Sequence, residues 1–288
     1  RKKMVLVDFA GIAIGSVLGQ LNKGEKLSEN LVKHIVLNNI RTYRNRFPES
    51  EWGRLIVCLE GRSWRRDLFP EYKAARTTTK SKDKYDWTEI YRILDIVSSD
   101  IKENFPYAVI QVGNAEADDI IGALTIEEMG KLGADKVAIV SADKDFIQLH
   151  TLGEVVQYSP MQNKMVKEED AGRYLFDHIL KGDSTDGIPN ANSPDNTFTD
   201  KIRQKPMRKK DMDMYWENKN TYQGGMDDLV YRNYMRNKKM IDLHEMPKDV
   251  YKSAVDQLET YKYPMKGKVF NYLIENKMNM LIECAGEF

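Results

Sequence analysis

Acidic side chains lie at the end of, or shortly after, four short apolar segments of this 288-residue sequence. The segments span residues 3–8, 54–60, 108–112 and 136–141, and we interpret each as a buried strand. Two more acids lie in the string Gly-Asp-Ser-Thr-Asp at 182–186. The candidate carboxylates are Asp8, Glu60, Glu116, Asp118, Asp119, Asp143, Asp145, Asp183 and Asp186.

Carboxylates brought together in this way need cations, because like charges in close contact raise each other's pKa. Oxygen ligands suit Mg²⁺, and Mn²⁺ can substitute for it. Two such ions about 4 Å apart can activate a water and stabilise a leaving oxygen in phosphodiester hydrolysis. For any single acid, solvation or helix capping is the commoner explanation. The whole set, each group placed at a strand end or helix start, favours a metal site.

Other metal chemistry is disfavoured by the sequence. The histidines His34, His150, His178 and His244 form no ligand spacing, which argues against zinc. Cys58 and Cys284 lie far apart in the sequence, so a disulfide scaffold is not expected. Asp143-Lys-Asp145 lacks the later ligands and the glycine of a calcium loop.

The elements that must position these acids alternate between strands and helices. Helix-length segments at 27–47, 87–105 and 116–132 separate the strands, which predicts an α/β fold with a mostly parallel central sheet flanked by helices. In such a sheet, ligands bind beyond the carboxyl ends of the strands. From residue 168 the pattern is helical, with a polar loop at 190–206 and helices at 248–258 and 268–281.

Charge is balanced in total but segregated along the chain. Lys plus Arg and Asp plus Glu both number 44, which excludes a uniformly basic protein but not a nucleic-acid binder. One acid-free window of ten residues contains Lys201, Arg203, Lys205, Arg208, Lys209 and Lys210. A solvated charge run is the alternative interpretation of this window. No signal peptide or membrane span is evident, and we expect a cytoplasmic protein that does not bind membranes.

The motifs, taken in order, resemble the 5′-nuclease superfamily of flap endonucleases and 5′-3′ exonucleases, and within it most resemble the ribonuclease H of T-even-type tailed bacteriophages. The strings are Leu-Val-Asp-Phe at 6–9, Trp-Arg-Arg-Asp at 64–67, Glu-Ala-Asp-Asp at 116–119, Ser-Ala-Asp-Lys-Asp at 141–145 and Gly-Asp-Ser-Thr-Asp at 182–186. The resemblance covers nearly the whole chain. No one motif is specific alone, but their ordered set is.

The resemblance implies a PIN-like nuclease core at 1–167, including a helical arch at about 64–100. It also implies a C-terminal helical DNA-binding lobe at 168–288 with a helix-turn-helix-like element. Two Mg²⁺ ions would be bound. Asp8, Glu116, Asp118 and Asp143 would serve the first, catalytic ion. Asp145, Asp183 and Asp186 would surround the second, with Asp119 in the outer shell. Glu60 stands where the family usually has Asp, so its ligand geometry can differ.

The resemblance also implies how the substrate is held. Lys73 and Arg76 would contact the scissile phosphate and stabilise developing charge. Tyr72 could stack on a base. The other nucleic-acid contacts expected are Arg65, Arg66, Lys80, Lys82, Lys201, Arg203, Lys205, Arg208, Lys209 and Lys210. The glycine-rich loop with which the family often binds potassium is missing after Gly187, so such an ion is not expected.

The function so implied is metal-dependent hydrolysis at the 5′ ends of flapped, forked or nicked DNA and RNA–DNA duplexes. It would remove RNA primers from lagging-strand fragments in phage replication, in the bacterial host cytoplasm. The enzyme would be a monomer, with a single-stranded-DNA-binding protein and replisome components as partners. A catalytically weakened fork-DNA-binding protein remains the alternative. A small PIN-type ribonuclease lacks the long helical lobe, and an aspartyl phosphatase would need an Asp-x-Asp motif that residues 8–10 do not supply.

Overall fold

The central sheet of the computed structural model has six strands in the order β3-β2-β1-β4-β5-β6. Every neighbouring pair is parallel except β5 with β6, so the predicted mostly parallel sheet is confirmed. The apolar pattern did not predict β5 or β6. The strands are β1 (Lys3–Asp8), β2 (Arg54–Cys58), β3 (Ala108–Ile110), β4 (Lys136–Val140), β5 (Val155–Ser159) and β6 (Lys164–Val166).

The structure describes residues 3–24, 26–76, 80, 84–131 and 136–288. Within the predicted arch at about 64–100, residues 77–79 and 81–83, which include Lys82, therefore lie outside the described residues. Within the described ranges, no helix combines the length and the apolarity that crossing a membrane requires.

Twelve α-helices are described in these ranges, and those predicted from apolar periodicity are among them. The segment at 268–281 forms two helices, because Lys277 adopts a left-handed backbone conformation with φ 55°. The helices are α1 (Phe9–Asn22), α2 (Glu29–Arg46), α3 (Glu49–Trp52), α4 (Arg65–Leu68), α5 (Trp87–Asn104), α6 (Ala117–Met129), α7 (Ala171–Lys181), α8 (Lys209–Glu217), α9 (Asp228–Ile241), α10 (Lys248–Glu259), α11 (Lys268–Glu275) and α12 (Asn279–Ile282).

Helices cover both faces of the sheet. Side chains alternate along a strand, so Leu6 of β1 packs into one core with α6 and α10, while Val5 packs into the other. The second core also contains Leu37 of α2, Ile93 of α5 and Leu273 of α11. Helices from the predicted C-terminal lobe thus complete both layers, and the boundary between residues 167 and 168 stays a prediction.

Candidate active site

An open pocket of about 830 Å³ lies at the carboxyl edge of the sheet. Register places Asp8 opposite Cys58 and Val7 opposite Val140, so β1, β2 and β4 end side by side there. The carboxylates that line the pocket are Asp8, Glu60, Glu116, Asp118, Asp143, Asp145, Asp183 and Asp186. All of the predicted acids except Asp119 therefore share one cavity.

Asp8 lies at the base of the pocket, where β1 passes into α1. One of its oxygens accepts a hydrogen bond from the Gly11 amide at 3.2 Å, and the other accepts one from the Ser141 hydroxyl at 2.8 Å. A Cβ at Gly11 would lie 2.5 Å from Asp8 Oδ2, so only glycine permits this close helix start. Burial raises the pKa of Asp8 despite both hydrogen bonds.

The protein only partly stabilises the ionised forms of Asp118, Glu60 and Asp143, so their pKa values are raised. Burial, Asp143 and Glu60 together raise the pKa of Asp118 well above its ordinary value. Burial and the nearby acids Asp8 and Glu116 raise the pKa of Glu60 to about 7, although its carboxylate accepts a hydrogen bond from the Ala117 amide at 3.2 Å. Burial and Asp145 raise the pKa of Asp143 to about 7. These oxygen-only donors suit a hard divalent cation.

This crowding predicts a pH-dependent stability that a divalent cation should remove. The pKa values of about 7 for Glu60 and Asp143 exceed those of about 4 in an unfolded chain. Between these values the folded protein binds more protons, so its free energy of unfolding falls as the pH rises. In EDTA we expect a lower melting temperature at pH 8 than at pH 6, measured by circular dichroism. Mg²⁺ should raise it more at pH 8.

The control for that prediction is the Glu60→Gln/Asp143→Asn double variant, whose melting temperature should depend less on pH. Some dependence of the same sign should remain, because the pKa values of Asp8 and Asp118 are also raised. Glu116 does not affect this comparison. Its pKa is lowered, so it changes the pH dependence of stability only below about pH 4. Equal melting temperatures of the metal-free wild type at the two pH values would contradict the prediction.

Glu116 differs from the other pocket acids because cations surround it. Burial alone would raise its pKa, but the charges of Lys73 and Arg65 lower it to about 2. Its carboxylate accepts hydrogen bonds from Lys73 Nζ, from Arg65 at 3.0 Å, from the Ser63 hydroxyl at 2.6 Å and from the Tyr72 hydroxyl at 2.9 Å. Glu116 is therefore ionised and held in place at neutral pH.

Asp119 and Arg65 form a buried ion pair behind the pocket. Asp119 is fully buried, and its oxygens accept hydrogen bonds from Arg65 at 2.9 and 2.8 Å and from the Trp64 indole at 3.1 Å. Arg65 is 2% exposed and also donates to the Met240 carbonyl at 2.7 Å. This geometry gives both residues a structural role. Neither residue lines the pocket. The outer-shell place expected of Asp119 and the nucleic-acid contact expected of Arg65 stay predictions.

The turn that bears Lys73 and Arg76 docks against the loop at 183–187. The Lys73 amide donates to the Asp186 carbonyl at 2.8 Å, and Lys73 itself has the left-handed φ of 54°. A Cβ on Gly187 would lie 2.6 Å from the Glu71 carbonyl oxygen, so glycine is needed for the approach. Lys73 lies 3.6 Å from the Asp186 carboxylate, and Arg76 pairs with the same group. Both side chains line the pocket, and the contact with a scissile phosphate that the resemblance implies for them stays a prediction.

Tyr72 is not placed to stack on a base. Its side chain is buried, and its hydroxyl donates to Glu116 at 2.9 Å and lies 3.4 Å from Asp186. Desolvation and these acids raise its pKa well above the ordinary value. The ring therefore supports the pocket wall rather than offering a face to nucleic acid in this conformation.

A histidine that the sequence spacing did not single out lies among the acids. Ligand atoms of Asp145, His178 and Asp183 all lie within 4.8 Å of one another. Gly182 ends α7 with φ 66°, and a Cβ there would lie 2.4 Å from the Ile188 carbonyl oxygen. The turn brings the last turn of α7 next to Asp183. Sequence spacing could not have suggested this group, because Asp183 lies beyond the end of the helix and the place of Asp145 depends on the sheet.

The remaining predicted basic residues lie at the pocket rim or on the surface. Arg66 and Lys80 line the pocket, and Lys80 Nζ lies 4.7 Å from the Tyr91 ring centroid. Lys82 is outside the described residues. The six basic residues of the window at 201–210 are all exposed, and none has an acidic partner within the part of the chain that is described. Their charge is therefore free to meet a polyanion.

Side chains of α9 hold the end of α7 and the segment that follows Gly187. Asn237 is fully buried and donates to the Ile179 and Pro189 carbonyls, both at 2.8 Å. Arg236 donates to the Pro189 carbonyl at 2.9 Å, and Asn233 donates to the Ala191 carbonyl at 3.0 Å. Protein donors thus satisfy the carbonyls of the segment that follows Gly187.

Comparison with known proteins gives two family matches. The family described as 5′-3′ exonuclease, N-terminal resolvase-like domain, matches residues 9–174, and that described as T4 RNase H, C terminal, matches residues 171–288. Ribonuclease H of Enterobacteria phage T4 is 26% identical over 296 residues, which cover 100% of this chain and 96% of the phage protein. DNA polymerase I of Streptococcus pneumoniae is 24% identical over 206 residues, which cover 66% of this chain and 22% of the polymerase.

Solved structures of a bacteriophage T5 protein share the fold. The T5 D15 protein co-crystallised with metal ions aligns with a TM-score of 0.61 and 16% identity, covering 91% of this chain and 100% of that chain. The D15 flap endonuclease in a pseudo-enzyme-product complex with DNA and metal ions aligns with a TM-score of 0.63 and 17% identity, covering 90% and 98%. Since the first family match spans more than half of the sequence, the chain belongs to the 5′-3′ exonuclease family of nucleases.

Proposed function

We propose that the protein is a metal-dependent 5′-3′ exonuclease and flap endonuclease that acts on RNA–DNA and DNA–DNA duplexes. The observation that carries the proposal is the pocket, in which Asp8, Asp118 and Asp143 are crowded without full compensation while Lys73 and Arg76 face them. A phosphodiester entering there would meet cations of the protein on one side and carboxylates with raised pKa values on the other. That is the arrangement required for two divalent cations and a phosphate to share a site.

The oxygen donors of the pocket fit Mg²⁺, and Mn²⁺ would substitute. Asp8, Glu116, Asp118 and Asp143 would hold the ion nearest the reaction, with Glu60 in the same pocket. Asp145, Asp183 and Asp186 would surround a second ion. When bound, such ions supply an activated water and stabilise the leaving oxygen. Hydrolysis would leave a 5′-phosphate and a 3′-hydroxyl.

Lys73 can perform two tasks at once. An ammonium group has three donors, and Glu116 takes one of them. The others can reach a phosphate oxygen in the pocket and stabilise charge that develops there. Arg76, Arg66 and Lys80 line the same cavity and would position the neighbouring phosphates. Glu116 and Asp186 keep Lys73 from swinging into solvent.

Recognition would depend on the shape and backbone of the substrate, with forked, flapped or nicked duplexes as the targets. In phage replication the reaction would remove RNA primers from lagging-strand fragments. It would take place in the host cytoplasm, carried out by a monomer with a single-stranded-DNA-binding protein and replisome components as partners.

The experiment is cleavage of 5′-end-labelled substrates by the full chain. A DNA flap and a nicked RNA–DNA duplex would be incubated with Mg²⁺, with Mn²⁺ and with EDTA. Short labelled 5′ products that require a divalent cation are expected from both. Tight binding of the flap with no product in either metal would instead indicate the alternative, a fork-DNA-binding protein of the same fold.

The exposed basic window predicts a salt-dependent contribution to duplex binding. The Lys209→Gln/Lys210→Gln variant removes two charges at the start of α8. Each Lys that neutralises a phosphate releases about one counterion from the duplex. Loss of two such contacts should therefore make the slope of log affinity against log salt concentration shallower by about 2. Fluorescence anisotropy with a labelled flap between 50 and 200 mM salt measures it.

A matched control removes two charges near the opposite edge of the sheet. Lys262 and Lys266 are exposed, and Lys266 lines a cavity with Arg54, where β2 begins. The Lys262→Gln/Lys266→Gln variant should keep the wild-type slope. Equal slopes for all three proteins would exclude the basic window from the duplex contact.

A further inference from the structure

One side of the pocket combines two carboxylates with an imidazole. Asp145 follows β4, His178 lies in the last turn of α7, and Asp183 follows the turn at Gly182. Each residue offers one ligand atom, and these three atoms all lie within 4.8 Å of one another. The set is therefore a mixed oxygen and nitrogen donor group, unlike the oxygen donors around Asp8.

The spacing of the donors fits adjacent ligands of one ion. His178 Nε2 lies 3.1 Å from Asp145 Oδ1. Solvent does not reach this nitrogen, and in the metal-free protein a protonated His178 can pair with the Asp145 carboxylate. Ligands about 2.1 Å from a common ion and at right angles to each other lie about 3.0 Å apart. The observed separation is that of an imidazolium–carboxylate pair, and a metal ion that displaced the proton would find these two donors already at the spacing of shared coordination.

Neighbouring groups hold two of these donors in place. The Tyr174 ring lies parallel to the His178 ring, with an interplanar angle of 12° and a centroid distance of 6.1 Å. Asp183 Oδ1 accepts hydrogen bonds from the Thr185 amide at 2.8 Å and from the Thr185 hydroxyl at 2.6 Å. Its second oxygen receives no hydrogen bond from the described residues, so it is free for a ligand. Supported donors of this kind are typical of metal sites.

Asp186, which the resemblance placed at the second ion, is differently engaged. It pairs with Arg76 and lies 3.6 Å from Lys73 Nζ. Two cations therefore compete with a metal for its oxygens. His178 pairs with Asp145 instead, and within the described residues no Lys or Arg side chain forms an ion pair with Asp145 or Asp183. Once its proton is displaced, His178 offers a nitrogen donor to a metal ion.

Donor chemistry then decides which ion is preferred. Mg²⁺ favours oxygen ligands and retains its waters, whereas imidazole favours first-row transition ions. We propose that Asp145, His178 and Asp183 bind a divalent first-row transition ion in preference to Mg²⁺, with His178 as a direct ligand. The inference rests on the proposed function, because it assigns the chemistry of one of the two metal positions in that pocket.

The test measures metal binding by the full chain without nucleic acid, so it does not depend on cleavage. The protein is freed of metal with a chelator and titrated with Mn²⁺, and free Mn²⁺ is followed by electron paramagnetic resonance. Pulsed measurements then detect ¹⁴N coupling between bound Mn²⁺ and an imidazole. We expect coupling in the wild type, and Mg²⁺ in large excess should displace one of two Mn²⁺ ions more easily than the other.

Three variants make the assignment specific. His178→Gln should lose the ¹⁴N coupling and weaken the retained Mn²⁺ by about tenfold or more. His178→Glu replaces the nitrogen ligand by an oxygen ligand of similar reach. This variant should bind Mn²⁺ without ¹⁴N coupling, and Mg²⁺ should displace its bound Mn²⁺ more easily. His244→Gln removes a histidine that lies 3.1 Å from Asp242 outside the pocket, and should behave as the wild type. Circular dichroism confirms that each variant is folded.

Absence of ¹⁴N coupling in the wild type, or coupling that persists in folded His178→Gln, would overturn the proposal. Neither result would affect the proposed function if Mg²⁺-dependent cleavage is observed. Conversely, a protein that binds Mn²⁺ through His178 but cleaves no substrate would retain this site and lose the nuclease proposal.

Discussion

The Asp118→Asn variant is expected to lose nuclease activity by a factor of roughly 10³ while remaining folded. Asp118 lies at the first turn of α6 within the pocket, and burial together with Asp143 and Glu60 raises its pKa. No donor in the described ranges hydrogen-bonds its carboxylate, so the amide leaves no partner unsatisfied. Removing one negative charge also relieves repulsion. The metal-free variant should therefore melt at the wild-type temperature or above it.

The measurement compares single-turnover cleavage of a labelled flap in Mg²⁺ with thermal unfolding in EDTA. Asp256→Asn is the matched control, because Asp256 is an exposed acid on α10, outside the pocket. It should retain wild-type rates. If Asp118→Asn cleaves within tenfold of the wild type, the pocket is not the catalytic centre. If it unfolds, Asp118 has a structural role that the geometry does not indicate.

The Arg65→Met variant is expected to destabilise the fold by about 3–5 kcal/mol. Arg65 is 2% exposed and forms hydrogen bonds with Asp119, Glu116 and the Met240 carbonyl. Methionine fills similar volume but leaves the Asp119 carboxylate buried without its cation. An uncompensated buried charge is costly, whereas removal of both members of a pair can be nearly neutral. The Arg65→Met/Asp119→Leu variant should therefore recover much of the loss.

Urea denaturation followed by circular dichroism measures these free energies of unfolding. The control is Arg62→Met, since Arg62 is 66% exposed and pairs with Asp67 on the surface. Such exposed pairs contribute about 1 kcal/mol or less. A folded Arg65→Met variant with wild-type stability but tenfold weaker flap binding would contradict the structural role. It would return Arg65 to the nucleic-acid contact expected from its sequence motif.

Local signals explain why the strands and most pocket acids could be predicted. β1, β2 and β4 are runs of buried apolar residues, and parallel strands end at a common edge. Asp8, Glu60 and Asp143 lie at or just after the ends of such runs, so a parallel arrangement of the strands was enough to predict that they meet. Ser28 precedes α2 and caps it, accepting a hydrogen bond from the Leu31 amide at 3.2 Å. A cap of this kind can be predicted because it depends only on residues that are close together in the sequence.

Side-chain direction and pairing could not be read in the same way. Asp118 and Asp119 are neighbours at the start of α6, yet one lines the pocket and the other is fully buried. Successive helical residues point about 100° apart, and the sequence does not say which side faces the cavity. The sequence likewise does not say which of Tyr72 and Lys73, neighbours in a turn, faces the pocket. The contact of this turn with residues 183–187 determines it.

The sequence by itself determined the α/β order of the elements, the acids at the strand ends and the exposed basic window, because each depends on neighbours along the chain. Tertiary structure alone decided that Arg65 meets Asp119, that Lys73 reaches Glu116, and that His178 lies beside Asp145. These contacts join residues whose separation in space is fixed by packing of helices on the sheet. Burial then sets which charges need partners and which remain free for a ligand.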